Sequence, residues 1–384
     1  MNQLLSLDLL AAVKTKICYI VSDIDYSHLI EGIGEFVDKN KYELCFVFIG
    51  QKKPALCEIL KNKTHPVYFI ESKNKKGLIV VIKKLCQLFA EIKPDIVHTH
   101  FLNASLAGLI AAKIKNIKKR VHTRHHSTEC HLYYPHAVNY DKLINFLSTK
   151  VVAVSQVVCE VLTKRENVDP QKVKIIWHGF DLDKFRAEDA IVKQLKEQYG
   201  LTENYPVIGA ISRFVHGKGI QYLIPAFKRL TADYPRAKLV LANATGSYSE
   251  QINVLLKENL HDSQYVLIEF EKRIFDLYKT FDVFAHVPIN KDFEAFGQIY
   301  VEALAMRVPS VFTLSGVAND FIKHEINALV VPYQDSEAIY QEMSILLKNE
   351  SLRAQIIKQG ESDVHELFPA GKMWNELDAL YSSL

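Results

Sequence analysis

The sequence predicts an α/β protein made of two doubly wound, parallel-sheet domains facing a central cleft. Three observations carry this. Short runs rich in Val and Ile alternate with longer amphipathic stretches along most of the chain, as strands do when helices cover both faces of their sheet. The alternation stops near residues 180–205 and then restarts. The chain is 384 residues long, which leaves room for two domains of ordinary size.

In the first series, strands are predicted over 16–22, 43–49, 66–70, 95–99, 119–123, 151–154 and 173–177. Apolar residues recurring at three- and four-residue spacing predict helices over 78–92 and 104–117. Trp177-His178-Gly179-Phe180-Asp181 then leads into a charged stretch. The second series opens at Pro206, with strands over 206–212, 238–242, 265–268, 282–286, 309–313 and 328–331. Helices are predicted between them at about 218–232, 247–259, 272–280, 297–306 and 316–324. The resulting boundaries are 1–180, a hinge over 181–205, 206–365, and a C-terminal helix over 366–384 that packs back on the first domain. Ligands of open α/β sheets sit beyond the carboxyl ends of the strands, so the cleft is the expected site.

Composition excludes several classes. Hydrophobic residues make up 48% and charged residues 24%, so the chain is neither disordered nor fibrous. No apolar run is long enough to span a membrane. The N-terminus lacks a basic leader region and Asp8 interrupts its apolar run, so no secretory signal is expected. Cys18, Cys45, Cys57, Cys86, Cys130 and Cys159 form no C-x-x-C pair and read as small hydrophobes in a reducing cytoplasm. Residues 1–190 hold 28 Lys and Arg against 20 Asp and Glu, and the remainder holds 19 against 24. The first half is therefore basic and suited to an anionic surface. The modest net charge and the lack of a recognition module argue against nucleic acid.

Two segments of the second half bear chemistry. Ser212-Arg213-Phe214-Val215-His216-Gly217-Lys218-Gly219 ends a predicted strand and opens a helix. Two cations, two glycines and free helix amides suit a phosphate, although neither the Walker pattern nor G-x-G-x-x-G is present. An ordinary turn is the alternative. Further on stand Glu294-Ala295-Phe296-Gly297-Gln298 and, inside the following helix, Glu302. A carboxylate on the buried side of a helix needs a partner, and a ligand hydroxyl would serve. Surface glutamates near Arg307 are the alternative.

The E-x7-E pair Glu294/Glu302, together with Arg213, Lys218 and Gly219 in R-x-x-x-x-K-G, resembles the retaining glycosyltransferases of family 4. These have the GT-B fold, two Rossmann-like domains. Val173–Phe185 resembles the family's linker, and Ile326–Pro332 its N-G-L-L-V-P segment. Trp177-His178 stands where the family usually has Pro-Asn, and Arg307 where it has Gly. The resemblance implies that Arg213, Lys218 and Gly219 bind the diphosphate of a nucleotide sugar. Glu302 would bind the ribose. Glu294, with amides around Phe296, Gly297 and Gln298, would hold the sugar. It implies no metal and no cofactor, because two cations take a metal's place.

The first half becomes the acceptor side. His98, His100, His122, His125, His126, His131 and His136 cluster there. Zinc is disfavoured, because the H-x-H lacks carboxylate and cysteine partners. Thr123-Arg124-His125 matches the family's T-x-H, which implies that His125 lies near the reacting sugar. His126 and His100 are further acceptor-side candidates. Asp23-Ile24-Asp25 has the form of a metal-binding D-x-D but reads as loop. Residues 73–84 and 113–120 join cations to apolar helical faces, as an interfacial helix does. The implied activity is metal-independent, retaining transfer from a UDP- or GDP-sugar to a glycan or lipid-linked acceptor at the inner membrane face. A nucleotide-sugar 2-epimerase of the same architecture and a non-catalytic nucleotide-sugar-binding protein are the alternatives.

Overall fold

The computed structural model describes residues 14–72 and 77–384. Residues 1–13, on which the reading of the leader rests, and residues 73–76, the start of the first basic stretch, lie outside the described residues. The described chain forms two compact units. One holds the chain up to Thr123, Asn139–Val152 and Asp378–Leu384; the other holds Arg124–Val138 and Ala153–Leu377.

The first half of the chain runs β1 (Thr15–Ser22), α1 (His28–Phe36), β2 (Tyr42–Gly50), α2 (Leu56–Asn62), β3 (Val67–Glu71), α3 (Gly77–Ile92), β4 (Ile96–His100), α4 (Leu102–Ile114), β5 (Lys119–Arg124), α5 (Glu129–Tyr133), α6 (Ala137–Leu147) and β6 (Lys150–Ala153). The strands of the first unit lie in the order β3-β2-β1-β4-β5-β6. Central β1 is parallel to both neighbours, with Ile20 opposite Val47 and Thr99. Ile17 to Val21 are fully buried, as expected of a strand covered on both faces, and they read as one apolar run for that reason. The end of the chain returns to this unit: Lys41 Nζ lies 2.5 Å from Asp378 Oδ1, and Tyr381 Oη lies 2.6 Å from His98 Nδ1.

The second unit continues with α7 (Gln156–Glu160), β7 (Val173–Ile175), α8 (Asp189–Gln198), β8 (Val207–Ile211), α9 (Ile220–Asp233), β9 (Lys238–Ala242), α10 (Ser249–Asn259), β10 (Tyr265–Ile268), α11 (Ile274–Tyr278), β11 (Val283–His286), α12 (Gln298–Ala305), β12 (Ser310–Phe312), α13 (Ala318–Phe321), β13 (Leu329–Val330), α14 (Ser336–Lys348), α15 (Glu350–Leu367) and α16 (Ala370–Ser382), of which the residues from Asp378 on belong to the first unit. Its sheet has the order β10-β9-β8-β11-β12-β13. This sheet, and the six strands β1 to β6 of the seven-stranded first sheet, thus follow the 3-2-1-4-5-6 order of a doubly wound fold. Ile208, Leu223, Phe227, Leu241 and Val311 form the core beneath α9. The strand order reverses between β8 and β11, so their carboxyl ends open the crevice where such sheets bind ligands.

Two local findings refine the sequence reading. The stretch read as a hinge contains helix α8, whose one buried residue is Leu195; Gln194 and Gln198 accept hydrogen bonds from Arg273 at 3.1 Å. Arg307 stands where the family resemblance leads one to expect glycine. It follows α12 with φ +60°. Val308 N donates to Ala303 O and Arg307 N to Leu304 O, both at 3.0 Å. This is a Schellman ending, whose left-handed residue favours glycine. Among the described residues no helix is long and apolar enough to cross a membrane.

Candidate active site

The loop leaving β8 makes one tight turn at His216–Lys218 before α9 starts. Gly219 sits at φ +76°, and a Cβ there would lie 1.8 Å from Val287 O. Only glycine permits this approach. It brings the loop against the segment leaving β11, and Ile289 N donates to Gly217 O at 3.0 Å. Lys218 Nζ therefore reaches Glu294 Oε1 at 2.6 Å. A cavity of about 700 Å³ opens at this junction; Arg213, Lys218 and Glu294 line it, with His125, His126 and Tyr133.

Glu294 is held from three sides. Its backbone N donates to Ser315 Oγ at 2.9 Å, Lys218 pairs with Oε1, and His286 Nε2 lies 3.1 Å from the same oxygen. Burial pushes the carboxyl up, but Lys218 and His286 outweigh it and hold the group well below the usual carboxylate range. Burial drives His286 downward against the pull of Glu294. An ionised carboxylate accepts only, so the proton of neutral His286 sits on Nε2. This yields a fixed anion with lone pairs left for hydroxyls.

Three residues further, Gly297 takes φ +82° and caps the start of α12. A Cβ at that position would meet the Tyr300 ring at 2.7 Å. The helix start thus presents its free amides beside Glu294. Phe296 is buried, its ring stacked on His178 at 4.4 Å, and Ala295 O accepts from Ser155 Oγ at 2.6 Å. Glu302, buried on α12 and not among the residues lining the cavity, accepts from Tyr278 Oη at 3.0 Å and from Gln298 Nε2 at 3.3 Å. Burial raises its carboxyl, and the two hydrogen bonds only partly offset this. The two glutamates therefore have opposite electrostatic settings.

A family model described as Glycosyl transferases group 1 matches residues 192–363, and one described as Glycosyltransferase Family 4 matches residues 38–184. The chain is a family 4 glycosyltransferase. It is similar to the capsular polysaccharide biosynthesis glycosyltransferase CapM of Staphylococcus aureus, at 27% identity over 96% of this chain and 97% of that one. N-acetyl-alpha-D-glucosaminyl L-malate synthase of Bacillus anthracis is 24% identical over 83% and 85% of the two chains. The fold matches the crystal structure of Anabaena Alr3699/HepE in complex with UDP-glucose, with a TM-score of 0.81, 19% identity and coverage of 96% and 100%. The architecture is GT-B, two Rossmann-like domains.

The remaining candidates of this glycosyltransferase separate by unit. His125 and His126 lie on Arg124–Val138, a segment that belongs with the second unit. The guanidinium of Arg124 meets Glu166 at 2.6 Å, both side chains fully buried. Ser127 Oγ and Thr128 Oγ1 both donate to Asp292 O, the former at 2.5 Å and the latter at 2.9 Å. His100 lies in the first unit, buried in β4 with its ring 4.6 Å from that of His98; it does not line the cavity. Asp23 and Asp25 organise loops of the first unit: Asp23 accepts from Asn103 at 2.7 Å and Asp25 from Ala55 N at 3.1 Å. His178 and His286 escaped the sequence reading. His286 ends a strand outside any motif, and His178 stands only as a departure in the linker segment, with no role given to it. Burial pushes His178 down to about 4, so it is neutral where it packs on Phe296.

Proposed function

We propose that this glycosyltransferase moves a sugar, with retention of anomeric configuration and without a metal, from a UDP- or GDP-sugar to a hydroxyl of a glycan or lipid-linked acceptor in cell-surface polysaccharide or glycolipid synthesis. The observation that carries the reading is one cavity holding Arg213, Lys218 and the doubly paired Glu294. In the reaction the bond between the anomeric carbon and the diphosphate breaks, and the acceptor oxygen bonds to that carbon on the same face. The acceptor's proton passes to the leaving diphosphate oxygen. Arg213, Lys218 and the α12 amides stabilise the charge that builds on the diphosphate, and the Gly219 turn brings backbone close. Glu294 and the amides of Phe296–Gln298 orient the sugar. Glu302 takes the ribose hydroxyls, and His125 attends the reacting sugar. The names of the Staphylococcus aureus relative and of the Anabaena complex support the pathway class and the donor class.

The test is nucleotide release from a panel of UDP-, GDP- and ADP-sugars, with product analysis. Turnover is expected to persist in excess EDTA. Loss of turnover in EDTA, restored by Mg²⁺ or Mn²⁺, would remove the electrostatic assignment of Arg213 and Lys218. Interconversion of the nucleotide sugar without any acceptor would instead mark a 2-epimerase.

The acceptor reading extends to place: peripheral contact with the cytoplasmic membrane face through 73–84 and 113–120. On α3, Ile79 is 78% and Val80 51% exposed, with Lys83 and Lys84 exposed nearby. Lys113, Ile114, Lys115 and Lys118 are exposed at the end of α4 and beyond it. Arg120 is not available to lipid in the same way, since its guanidinium donates to Leu147 O at 2.7 Å and Ile117 O at 2.6 Å. Each cation near an anionic surface contributes about 1 kcal/mol, screened by salt. Co-sedimentation with anionic vesicles at low salt, lost at high salt and absent with neutral vesicles, is the expected result. Equal lack of binding to both lipids would favour a soluble acceptor.

A further inference from the structure

We propose that Tyr133 and Tyr134 form an aromatic platform that receives the acceptor saccharide beside the donor cations. The proposal rests on the donor-site reading above and names the acceptor class for the same cavity. Both tyrosines line the cavity that holds Arg213, Lys218 and Glu294. Both are nevertheless left open, at 51% and 61% exposed. A lone exposed tyrosine is ordinary surface. Two in succession on the wall of a charged cavity are a binding feature. Tyrosine supplies a large, rigid, amphipathic contact area and loses few rotamers on binding.

The platform is fixed relative to the chemistry. Tyr134 ends α5 in a non-helical conformation, and Ala137 N closes the next turn onto its carbonyl at 2.7 Å. Upstream, Ser127 and Thr128 are tied to the carbonyl of Asp292, two residues before Glu294. Downstream of that tie, His131 Nε2 lies 3.1 Å from Glu166 Oε1, the carboxylate oxygen that also holds Arg124. One loop thus anchors both the sugar-orienting carboxylate and the strap bearing the rings.

The chemistry of the wall selects the ligand. A pyranose ring offers one face made largely of C–H bonds, polarised positive, which suits the negative face of an aromatic ring. Its hydroxyls project from the rim, where His126 and Glu129, also on the cavity wall, present hydrogen-bonding groups. A phosphate would find no cation on the tyrosines; Arg213 and Lys218 are the cations on this wall, and the donor diphosphate takes them. An acceptor sugar stacked on Tyr133 and Tyr134 directs its hydroxyls toward the donor.

The test uses the full chain in two measurements. Calorimetry gives the Kd of UDP and of GDP. Saturation-transfer NMR, with the tighter nucleotide present, monitors the methyl glycosides of glucose, galactose, N-acetylglucosamine and rhamnose. At least one glycoside is expected to receive saturation on its ring protons in the wild type. Tyr133→Ala/Tyr134→Ala should cut that signal by about tenfold, Tyr133→Phe/Tyr134→Phe should keep it, and nucleotide Kd should stay within about twofold throughout. Full glycoside signal in the alanine double variant would overturn the platform, as would no glycoside signal in a wild type that binds nucleotide. Weakening of the nucleotide in parallel with the glycoside would overturn it too, assigning the rings to the nucleobase. If neither nucleotide binds the wild type, the donor reading fails, and calorimetry shows that separately. The Phe variant reports folding, since it keeps the rings.

Discussion

Glu294→Ala is expected to lower kcat by about 10- to 150-fold with a smaller change in donor KM, the size of a lost charged hydrogen bond of ~1.5–3 kcal/mol. The reason lies in its setting. Lys218 and His286 keep the carboxylate ionised and immobile, so under the proposed role its remaining lone pairs would meet the sugar in one geometry. That geometry matters most as the sugar moves toward the transition state. Glu302 has other partners, Tyr278 and Gln298, and lies outside the lining of the cavity. Glu302→Ala should therefore chiefly raise donor KM. Steady-state kinetics of both variants with one donor decides this. Wild-type constants in both, or the same kcat and KM pattern in both, would refute the division of roles. The acid limb of stability gives a second readout. The folded-state carboxyl of Glu294 titrates below its unfolded value. Its contribution is therefore fully present above the ordinary carboxylate range and fades as pH falls beneath it. Glu294→Gln should lose stability near neutrality and show a flatter decline in acid. Unfolding midpoints between pH 3 and 7, roughly spanning that range, measure it.

The sheets were legible because their strands are buried on both faces. Ile17-Cys18-Tyr19-Ile20-Val21 and Val283–Ala285 are continuous apolar runs, and strand boundaries shifted by only a residue or two. Helix α8 was overlooked although Ile191, Val192 and Leu195 carry a helical period: the segment is short and rich in charge, and Leu195 alone is buried. The site was half legible. Arg213, Lys218 and Glu294 sit at the carboxyl ends of β8 and β11, where a strand-order reversal makes a crevice, and their residue types already suggested an anion. The E-x7-E spacing said nothing of the opposite environments of its two glutamates. Those are made by Lys218, His286 and Tyr278, which arrive from other parts of the chain. His100 and His125 looked alike in sequence because each follows a strand; burial against His98 separates the first from the cavity. The attachment of Arg124–Val138 to the second unit depends on Glu166, a partner 42 residues away, and no local pattern announces it.

That attachment predicts the largest loss of stability. Glu166→Ala is expected to destabilise the second unit by about 3–5 kcal/mol, the range for breaking a buried ion pair by removing one of its members. The Arg124 side chain is fully buried. Its Nε donates to His126 O at 3.1 Å, but both terminal nitrogens face Glu166, at 3.4 and 2.6 Å. The carboxylate is delivered by a turn of π-helix, Val161–Arg165, in which Glu166 N donates to Val161 O at 3.1 Å. The extra residue of such a turn often marks a functional position. The next residue back, Arg165, reaches Asp292 at 2.8 Å, so one turn braces both the histidine strap and the loop of Glu294. Replacing both partners by apolar residues of similar volume, Arg124→Met with Glu166→Leu, removes two desolvated charges together. That pair should come within about 1 kcal/mol of wild type or exceed it. Urea unfolding followed by tryptophan fluorescence measures the comparison, with Trp177 and Trp374 both in the second unit. A single variant as stable as the wild type would show that the buried pair does not hold the strap. A double variant that is stable but has lost kcat would show that the ion pair serves to place His125 and His126.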